Sequence, residues 1–499
     1  MPPAEVAGLW ADRLSRRRVL QAGVAIAGIL TTPTNPFPQR AATTRPSSAD
    51  SPVLIVGAGI AGLTAAYRLR QAGVAVEVIE ASPRVGGRLR SLSNLPHRPG
   101  TVEMGGEFID THHTHVRSLA TELGLELADL RQADVGLEPE ILYFHGQTIS
   151  NAAVVEAFSP LAKRISQDLA KLGDRDLSYR TQNPHALTLD RLSLAEYLAT
   201  APIDPVIDQL IRVAYITEFG RDAEEQSCLN MLFLIGAEVG KWSTYGISDE
   251  RWHVVGGNER MPQALAAAVS DAIETGTALE SIRATDDGRY RVSVRQGATS
   301  RDRTYDRILL TVPFGVLRQV DLAVDLPPVK RQAIDQLGYG TSTKLAVPYR
   351  ERIWRTRYHS TISVYTDLDF QNTWESARYT AGSSGWVTDL RAGQQGLALG
   401  AGNPDTHATA LSSSLEPLFP GIGSVQQRQA VRAFWAAEPY ALGSYACYLP
   451  GQWTALAGAE AERVGNLWFA GEHCSSGSQG YMNGAVETAE AAARSIVQA

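Results

Sequence analysis

The chain has 499 residues, of which 44% are hydrophobic and 20% are charged, the composition of an ordinary globular protein with room for about two or three domains. Its 46 basic and 53 acidic residues give a net charge of -7, which argues against nucleic acid as a partner. The 3 cysteines are widely spaced and form no CxxC pair, which argues against a disulfide framework and against a thiolate metal cage.

The N-terminal segment predicts export. Residues 15–21 (SRRRVLQ) resemble the twin-arginine export motif, and the apolar stretch that follows, residues 19–30, is too short to cross a bilayer. We therefore predict that residues 1–50 are a twin-arginine-type signal and flexible lead-in, recognised by the twin-arginine translocase and directing the protein to the periplasm or another extracytoplasmic compartment. A disordered basic tail is the alternative. No later segment has a long uninterrupted apolar run, so no membrane span is expected in the mature protein.

The first strong motif lies between residues 53 and 80. The apolar run 53–56 predicts a buried parallel strand, and the Ala- and Leu-rich residues 63–73 predict the helix that packs back on it. Residues 76–79 predict a second strand, and Glu80 at its end can accept hydrogen bonds from ribose hydroxyls. Three glycines join strand to helix, for a tight turn, for close approach of a pyrophosphate and for close helix packing: Gly57, Gly59 and Gly62. Together these elements predict a dinucleotide-binding site.

A second glycine pair indicates which dinucleotide is bound. Gly86, Gly87 and Arg88 follow Glu80 within a few residues, which nicotinamide-binding units do not require. The extended pattern resembles the flavin family that includes monoamine and polyamine oxidases, L-amino-acid oxidases and carotenoid desaturases. The resemblance implies FAD as the cofactor, with Arg88 helping to hold its diphosphate.

The C-terminal region is similar to the same family. Gly471 and Glu472 lie in one motif, and Gly480, Tyr481 and Met482 lie in the next. The resemblance implies that Glu472 hydrogen-bonds the ribityl or diphosphate portion of FAD and that the backbone at Met482 reaches the flavin pyrimidine edge. A helix beginning here would direct its positive end towards flavin negative charge. Further cofactor-binding positions implied by the resemblance are Ile60, Ala61, Ala81, Arg84, Gly105, Gly106, Glu107, Phe108, Leu279 and Trp435.

The cofactor signals are divided among three parts of the sequence. We expect an α/β fold with a Rossmann-like FAD-binding domain assembled from residues 51–125, 250–330 and 437–499. Residues 126–249 and 331–436 remain for an α+β substrate-binding domain. The patterns further predict helices at 193–200, 203–215, 261–272 and 484–497, and strands at 307–313, 343–347 and 467–470.

Four positions are predicted to serve catalysis. Lys344 resembles the lysine that family members place near flavin N5 through a bridging water; a snorkelling lysine at a sheet edge is the alternative. Tyr445 and Tyr481 match the two rings that sandwich the substrate amine, where electron-rich faces attract the amine and apolar surroundings favour its neutral form. Trp435 matches a tryptophan that packs beside the flavin. Ser444 stands where monoamine oxidases carry the cysteine that bonds FAD, so the resemblance implies non-covalent FAD.

A group of histidines raises the question of a metal. His112, His113 and His115 lie within four residues of one another, a spacing that does not aim all three rings at one ion from a helix. No nearby cysteine or spaced acidic set completes a site, so no metal is expected.

The resemblance implies a flavin oxidase that takes hydride from a carbon bearing nitrogen, after which the imine hydrolyses and O2 reoxidises the flavin with formation of hydrogen peroxide. In overall character the chain is similar to bacterial and cyanobacterial L-amino-acid oxidases that favour arginine and lysine, which implies a 2-oxo acid and ammonia as products. A polyamine or monoamine oxidase producing an aldehyde, and a carotenoid desaturase-like flavoprotein, are the alternatives. A homodimer is compatible with the resemblance.

One departure from the family bears on the substrate. Many L-amino-acid oxidases place an arginine shortly after the glycine turn to clamp the substrate carboxylate, and here residues 108–111 fill that place. Either another cation serves, or the substrate lacks a carboxylate. Acidic candidates for binding a distal cationic group are Glu107, Asp110 and Glu375, and the leading interpretation of each is a solvated or structural charge.

Overall fold

The computed structural model describes residues 51–93, 100–173 and 177–499. The predicted export signal lies outside the described residues. Among the helices of the described ranges, none combines the length and the apolar character needed to cross a membrane.

A parallel sheet of five strands unites segments that are distant in sequence. In spatial order its strands are Leu467–Phe469, Ile308–Leu310, Val53–Val56, Val76–Glu80 and Ile273–Thr275. Each of the three sequence segments assigned to the FAD-binding domain contributes at least one of these strands.

The parallel sheet is buried on both faces because its side chains alternate between them. Ile55 and Val78 belong to a hydrophobic core with the helices of one face. Leu54 and Val56 belong to the core on the other face. The helices of the first face include Ile60–Gln71, Arg260–Ala268 and Met482–Gln498.

A second, mostly antiparallel sheet dominates the other part of the molecule. Its only parallel pair among the described strands is Val364–Thr366 with Ile141–Phe144. The spatial order is Val431–Phe434, Thr343–Tyr349, Gly385–Arg391, Asn372–Ser376, Val364–Thr366, Ile141–Phe144 and Gln147–Ile149. The accompanying helices are Asn151–Leu172, Pro184–Asp190, Leu194–Ala199, Pro205–Phe219 and Cys228–Leu232.

Smaller elements complete the fold. A four-stranded sheet has the order Thr299–Tyr305, Tyr290–Gln296, Thr277–Ala284 and Asp321–Ala323, and two short ladders pair Ser91–Leu92 with Val102–Glu103 and Leu127–Asp129 with Trp252–Val254. The other α-helices are Thr114–Glu122, Leu130–Ala133, Phe314–Leu317, Pro328–Gln336, Ile353–Thr356, Gly393–Gly400, Pro404–Leu415, Ile422–Val425 and Gln452–Leu456, and the 3-10 helices are Ser270–Ala272, Trp435–Ala437 and Glu472–Cys474.

The helix Pro205–Phe219 shows how local sequence sets an element that reaches the site. The Asp204 carboxylate accepts a hydrogen bond from Val206 N at 2.8 Å, which caps the helix, and Pro205 fits its first turn. Gly220, at φ 77°, ends it in a left-handed conformation. The helix therefore continues four residues beyond the predicted end at 215 and carries Glu218 in its last turn.

Candidate active site

One cavity of about 1380 Å³ runs from the glycine turn at Gly57 to Tyr445 and Tyr481. Every residue predicted to bind cofactor or serve catalysis lines it, except Gly62. A Cβ on Gly62 would lie 1.9 Å from the carbonyl oxygen of Gly57, so this glycine serves helix packing against the turn. The sequence analysis predicted this packing role for Gly62. The prediction that Gly62 also contacts the cofactor is corrected, because this residue does not line the cavity.

The nucleotide end of the cavity is built from backbone and one buried acid. Glu80, at the end of its strand, accepts hydrogen bonds from Ala58 N and Ser82 N, each at 2.8 Å, and burial raises its pKa. A Cβ on Gly59 would come no nearer than 4.0 Å to the protein, at Gly87 Cα across the cleft. These two glycines therefore keep open a passage that a diphosphate fits.

The middle of the cavity joins the first and last sequence segments. Arg88 donates from Nη1 to Glu472 Oε1 and to the carbonyl oxygen of Ser444, both at 2.8 Å. The other oxygen of Glu472 accepts from Gly480 N at 2.9 Å. The helix Met482–Gln498 begins beside this pair, with Met482 lining the cavity. Its positive N-terminal end therefore faces the space predicted for the flavin.

Lys344 lies in the strand Thr343–Tyr349 and is held at the cavity wall. Its Nζ donates to Glu107 Oε2 at 2.8 Å and to the carbonyl oxygen of Gly105 at 2.9 Å, and it lies 5.1 Å from the Trp374 ring centroid. Trp374 in turn donates from Nε1 to Glu107 Oε1 at 3.0 Å. The strand is flanked on both sides, which contradicts the alternative of an edge lysine, and the ammonium is presented at a fixed position.

The three predicted aromatic residues line the same region. Trp435 is anchored by a hydrogen bond from Nε1 to the carbonyl oxygen of Met104 at 2.8 Å. The Tyr445 hydroxyl donates to the carbonyl oxygen of Thr217 at 2.9 Å, and the Tyr481 hydroxyl donates to Glu218. Burial raises the pKa of Tyr445, so this phenol stays neutral at physiological pH.

Of the three acidic candidates for binding a distal substrate cation, two have structural roles. Asp110 does not line the cavity; its Oδ1 accepts from Ser248 Oγ at 2.9 Å and from Glu250 N at 2.7 Å. Glu375 is buried among Trp354 Nε1, 2.8 Å away, and two arginines. Glu107 does line the cavity, but Lys344 neutralises it. Asp110 and Glu375 therefore have the structural role that the sequence analysis favoured for them.

Five other carboxylates, which the sequence analysis missed, line the substrate end: Asp134, Glu140, Glu218, Asp249 and Glu250. Within the described residues the side chains of Glu140 and Glu250 make no hydrogen bond and no ion pair. Burial raises the pKa of Glu140 to about 7. Burial, reinforced by the charges of Asp110 and Glu218, raises the pKa of Glu250 to about 8. A cation entering here would find carboxylates that lack a partner.

Glu250 is presented by a strained turn. Its φ of 44° is uncommon for a residue with a side chain. Asp110 stabilises the conformation by accepting hydrogen bonds from Ser248 Oγ, Asp249 N and Glu250 N. Strain of this kind persists where the surroundings hold it in place. Asp110 lies a few residues after the glycine pair Gly105 and Gly106, which lines the region predicted for the flavin. Through these hydrogen bonds it also fixes Glu250 at the substrate end.

The histidine group brings potential metal ligands close to one acid. Asp110, His112 and His113 bring potential ligand atoms within 4.8 Å of one another. However, His113 Nδ1 accepts a hydrogen bond from Asp110 N at 3.0 Å, and burial lowers the His113 pKa to about 4. The neutral ring therefore carries its proton on Nε2, which faces Asp110 Oδ2 at 3.4 Å. His115 instead pairs with Glu490, 3.0 Å away.

Together these features define a flavin-dependent oxidoreductase. They are the parallel sheet with its glycine turn, the buried acid at the end of the second strand, and the lysine and two tyrosines farther along the same cavity. The family described as "Flavin containing amine oxidoreductase" matches residues 60–497. The chain belongs to this family, and FAD is its cofactor.

Relatives with described activities extend over most of the chain. The flavin-dependent L-tryptophan oxidase of Lentzea aerocolonigenes is 28% identical over 480 residues, which cover 89% of this chain and 97% of that protein. The L-amino acid dehydrogenase of a Synechocystis species is 25% identical over 462 residues, covering 89% and 94%. The structure of putrescine oxidase bound to putrescine has a TM-score of 0.78 at 20% identity, covering 90% of this chain and 99% of that one.

These findings confirm the predicted family, the α/β fold class and the FAD cofactor. The chain is an enzyme that oxidises amines. The glycine passage, Glu80 and the Arg88–Glu472 pair fit a bound dinucleotide, while the roles of individual residues and the domain boundaries stay predictions.

Proposed function

We propose that this enzyme oxidatively deaminates L-amino acids with basic side chains, such as lysine and arginine, to 2-oxo acids and ammonia, with O2 as electron acceptor. The observation that carries the proposal is the set of carboxylates at the substrate end: Glu140 and Glu250, which have no partner within the described residues, and Glu218 beside Tyr481. A second cationic group on the substrate would favour the ionised form of these acids, because burial raises the pKa of Glu140 to about 7 and that of Glu250 to about 8. The names of the two relatives, an L-tryptophan oxidase and an L-amino acid dehydrogenase, support an amino acid.

Bound FAD would accept two electrons from the carbon that bears the amine. In this proposal the protein selects and aligns the amine. The rings of Tyr445 and Tyr481 are tethered through their hydroxyls to Thr217 and Glu218, which limits their rotation. Their faces favour an amine near the reacting carbon, and the enclosed site favours its neutral form. The Lys344 ammonium, fixed by Glu107 and Gly105, is placed to hold a water against the flavin.

A diamine is the second candidate, and the missing arginine after the glycine turn favours it. A diamine would use the same carboxylates for its distal ammonium but would bring no carboxylate of its own. The similarity to the putrescine oxidase structure shows a shared fold. The putrescine in that structure is a ligand of that protein.

A panel of matched substrates tests the proposal. Purified holoenzyme would be offered L-lysine, L-norleucine, which lacks the distal amine, and cadaverine, which lacks the carboxylate. We expect L-lysine to give the highest kcat/KM, with equal amounts of peroxide and 2-oxo acid. Preference for cadaverine with an aldehyde product would show that the enzyme is a diamine oxidase. Preference for L-norleucine would show that the carboxylates do not bind a distal cation of the substrate. Reduction of the flavin without peroxide formation would contradict O2 as acceptor.

We also propose export through the twin-arginine translocase, on the basis of residues 15–21. Residues 1–50 fused to a reporter that works only outside the cytoplasm should give activity. Replacing both Arg16 and Arg17 by lysine should abolish it, whereas activity that survives this change would contradict the assignment.

A further inference from the structure

A basic amino acid carries a carboxylate that must also find a partner. The cations lining the substrate end are Arg131, Lys344 and Arg378. Lys344 is already neutralised by Glu107. The Arg131 side chain is 61% exposed and its nearest acid is Asp249, 3.8 Å away. Arg378 is only 15% exposed, which makes it the better sheltered of the two arginines.

Arg378 is held in place on one side and open on the other. Its Nη1 donates to Asp134 Oδ2 at 2.8 Å, and its Nε donates to the carbonyl oxygen of Glu375 at 3.3 Å. Within the described ranges no hydrogen bond uses its Nη2. The guanidinium carbon lies 5.6 Å from the ring centroid of Phe108, the residue directly after Glu107. Arg378 therefore reaches the cavity wall at the place where the sequence lacks the family's arginine, but from the turn after the strand Asn372–Ser376.

The ion network around Arg378 contains more positive than negative charge. Arg352 and Arg355 pair with Glu375, and Arg355 and Arg378 pair with Asp134. Three guanidinium groups thus share two carboxylates, which leaves one positive charge without compensation. Of the three arginines only Arg378 lines the cavity, so the surplus charge is available to a ligand there. Glu250 is the other charged neighbour, and its raised pKa leaves it mostly protonated at neutral pH.

We propose that Arg378 binds the α-carboxylate of the substrate and so selects amino acids over the corresponding decarboxylated amines. This inference rests on the proposed function for the identity of the substrate, but the role of Arg378 concerns the carboxylate alone. Asp134 acts as a positioning residue because it accepts a hydrogen bond from Nη1 and leaves Nη2 for the ligand. A planar guanidinium with a free edge is well suited to a carboxylate.

The test compares substrate pairs that differ only in the carboxylate: L-lysine with cadaverine, and L-norleucine with pentylamine. For Arg378→Met we expect kcat/KM to fall by about 100-fold for each amino acid and to change by less than about 2-fold for each amine. Arg378→Lys should recover about a tenth of the wild-type activity on amino acids, because it restores the charge but not the planar geometry. Arg180→Met is the matched control: this arginine is 69% exposed, does not line the cavity and should affect neither member of a pair.

Flavin content and melting temperature accompany each variant. If Arg378→Met does not fold, Arg378→Lys keeps a cation beside Asp134 and decides the question by a loss confined to the amino acids. Equal losses on amino acids and amines, or an unchanged kcat/KM for amino acids, would overturn the inference. Failure of the proposed function would be seen separately, in the wild-type preference for L-norleucine or cadaverine, while the norleucine and pentylamine pair still tests Arg378.

Discussion

The two ends of the cavity are built by different means. The nucleotide end consists mainly of glycines, backbone and one acid from residues 57–88, and residues 277–280, residues 311–313 and Glu472 complete it. The substrate end consists of charged and aromatic side chains from separate strands, helices and turns, including Glu140, Glu250 and Arg378. Backbone geometry can bind a diphosphate that is common to many flavoproteins. Side chains that meet only in the tertiary fold are free to differ with the amine.

The largest effect is expected at the nucleotide end, from two glycines that look equivalent in the sequence. A methyl group on Gly59 meets no protein atom closer than 4.0 Å, whereas one on Gly62 would lie 1.9 Å from Gly57 O. Gly59→Ala should therefore leave the apoprotein melting temperature unchanged but abolish flavin retention. Gly62→Ala should lower the melting temperature of the apoprotein as well. Flavin absorbance after acid precipitation and thermal melting measure the two effects. An apoprotein destabilised equally by both changes would contradict this division of roles.

Between the two ends, Lys344→Met should slow flavin reduction or reoxidation by about 100-fold, because it removes the ammonium placed near the reacting region. The change also leaves Glu107 unpaired in a buried position, which costs stability. The double variant with Glu107→Gln restores neutrality and is the control. Anaerobic rapid mixing with substrate, followed by mixing with O2, separates the two half-reactions. Wild-type rates in both would exclude Lys344 from catalysis.

At the substrate end, a smaller effect should follow pH. Burial raises the pKa of Glu250 to about 8, so its carboxyl group is mostly neutral below this pH and charged above it. The KM for L-lysine, divided by that for L-norleucine to cancel titration of the α-amine, should fall several-fold between about pH 7 and about pH 9, while the lysine side chain stays largely cationic. Glu250→Gln should flatten this profile. A flat profile in the wild type would show that Glu250 does not contact the distal cation.

The smallest effect is expected where the two ends meet. Asp110→Asn weakens the hydrogen bonds that hold the turn at Ser248–Glu250, so the KM for L-lysine should rise by about 3-fold. Flavin content should not change, because Asp110 does not line the cavity. A loss of flavin in this variant would mean that the turn supports the cofactor rather than the acid.

The nucleotide end could be predicted because its chemistry follows from short-range patterns. A strand, three glycines and an acid in a fixed order describe the turn, and the structure differs mainly in starting the helix at Ile60 rather than 63. The terminal helix likewise begins at Met482, two residues before the predicted start. Such differences arise because helix ends depend on what packs against them.

The substrate end could not be predicted in the same way. Glu375 and Glu250 are both acids in otherwise unremarkable segments, yet one is enclosed by arginines and a tryptophan and the other opens into the cavity. One signal was available. Glu218 stands in the last helical turn before Gly220, where the helix dipole disfavours a negative charge. An acid at such a position does not serve helix stability, which is a signal for a role at the site.

The ion pair between Arg88 and Glu472 joins residues 384 positions apart. During synthesis the glycine turn leaves the ribosome long before the strand Leu467–Phe469 can close the sheet beside it. At typical rates of 5 to 20 residues per second, the delay is about 20 to 80 seconds. Throughout that interval the nascent chain carries an incomplete FAD site, so FAD binding belongs to the final stage of folding. For this enzyme, the supply of cofactor would govern whether a newly finished chain matures.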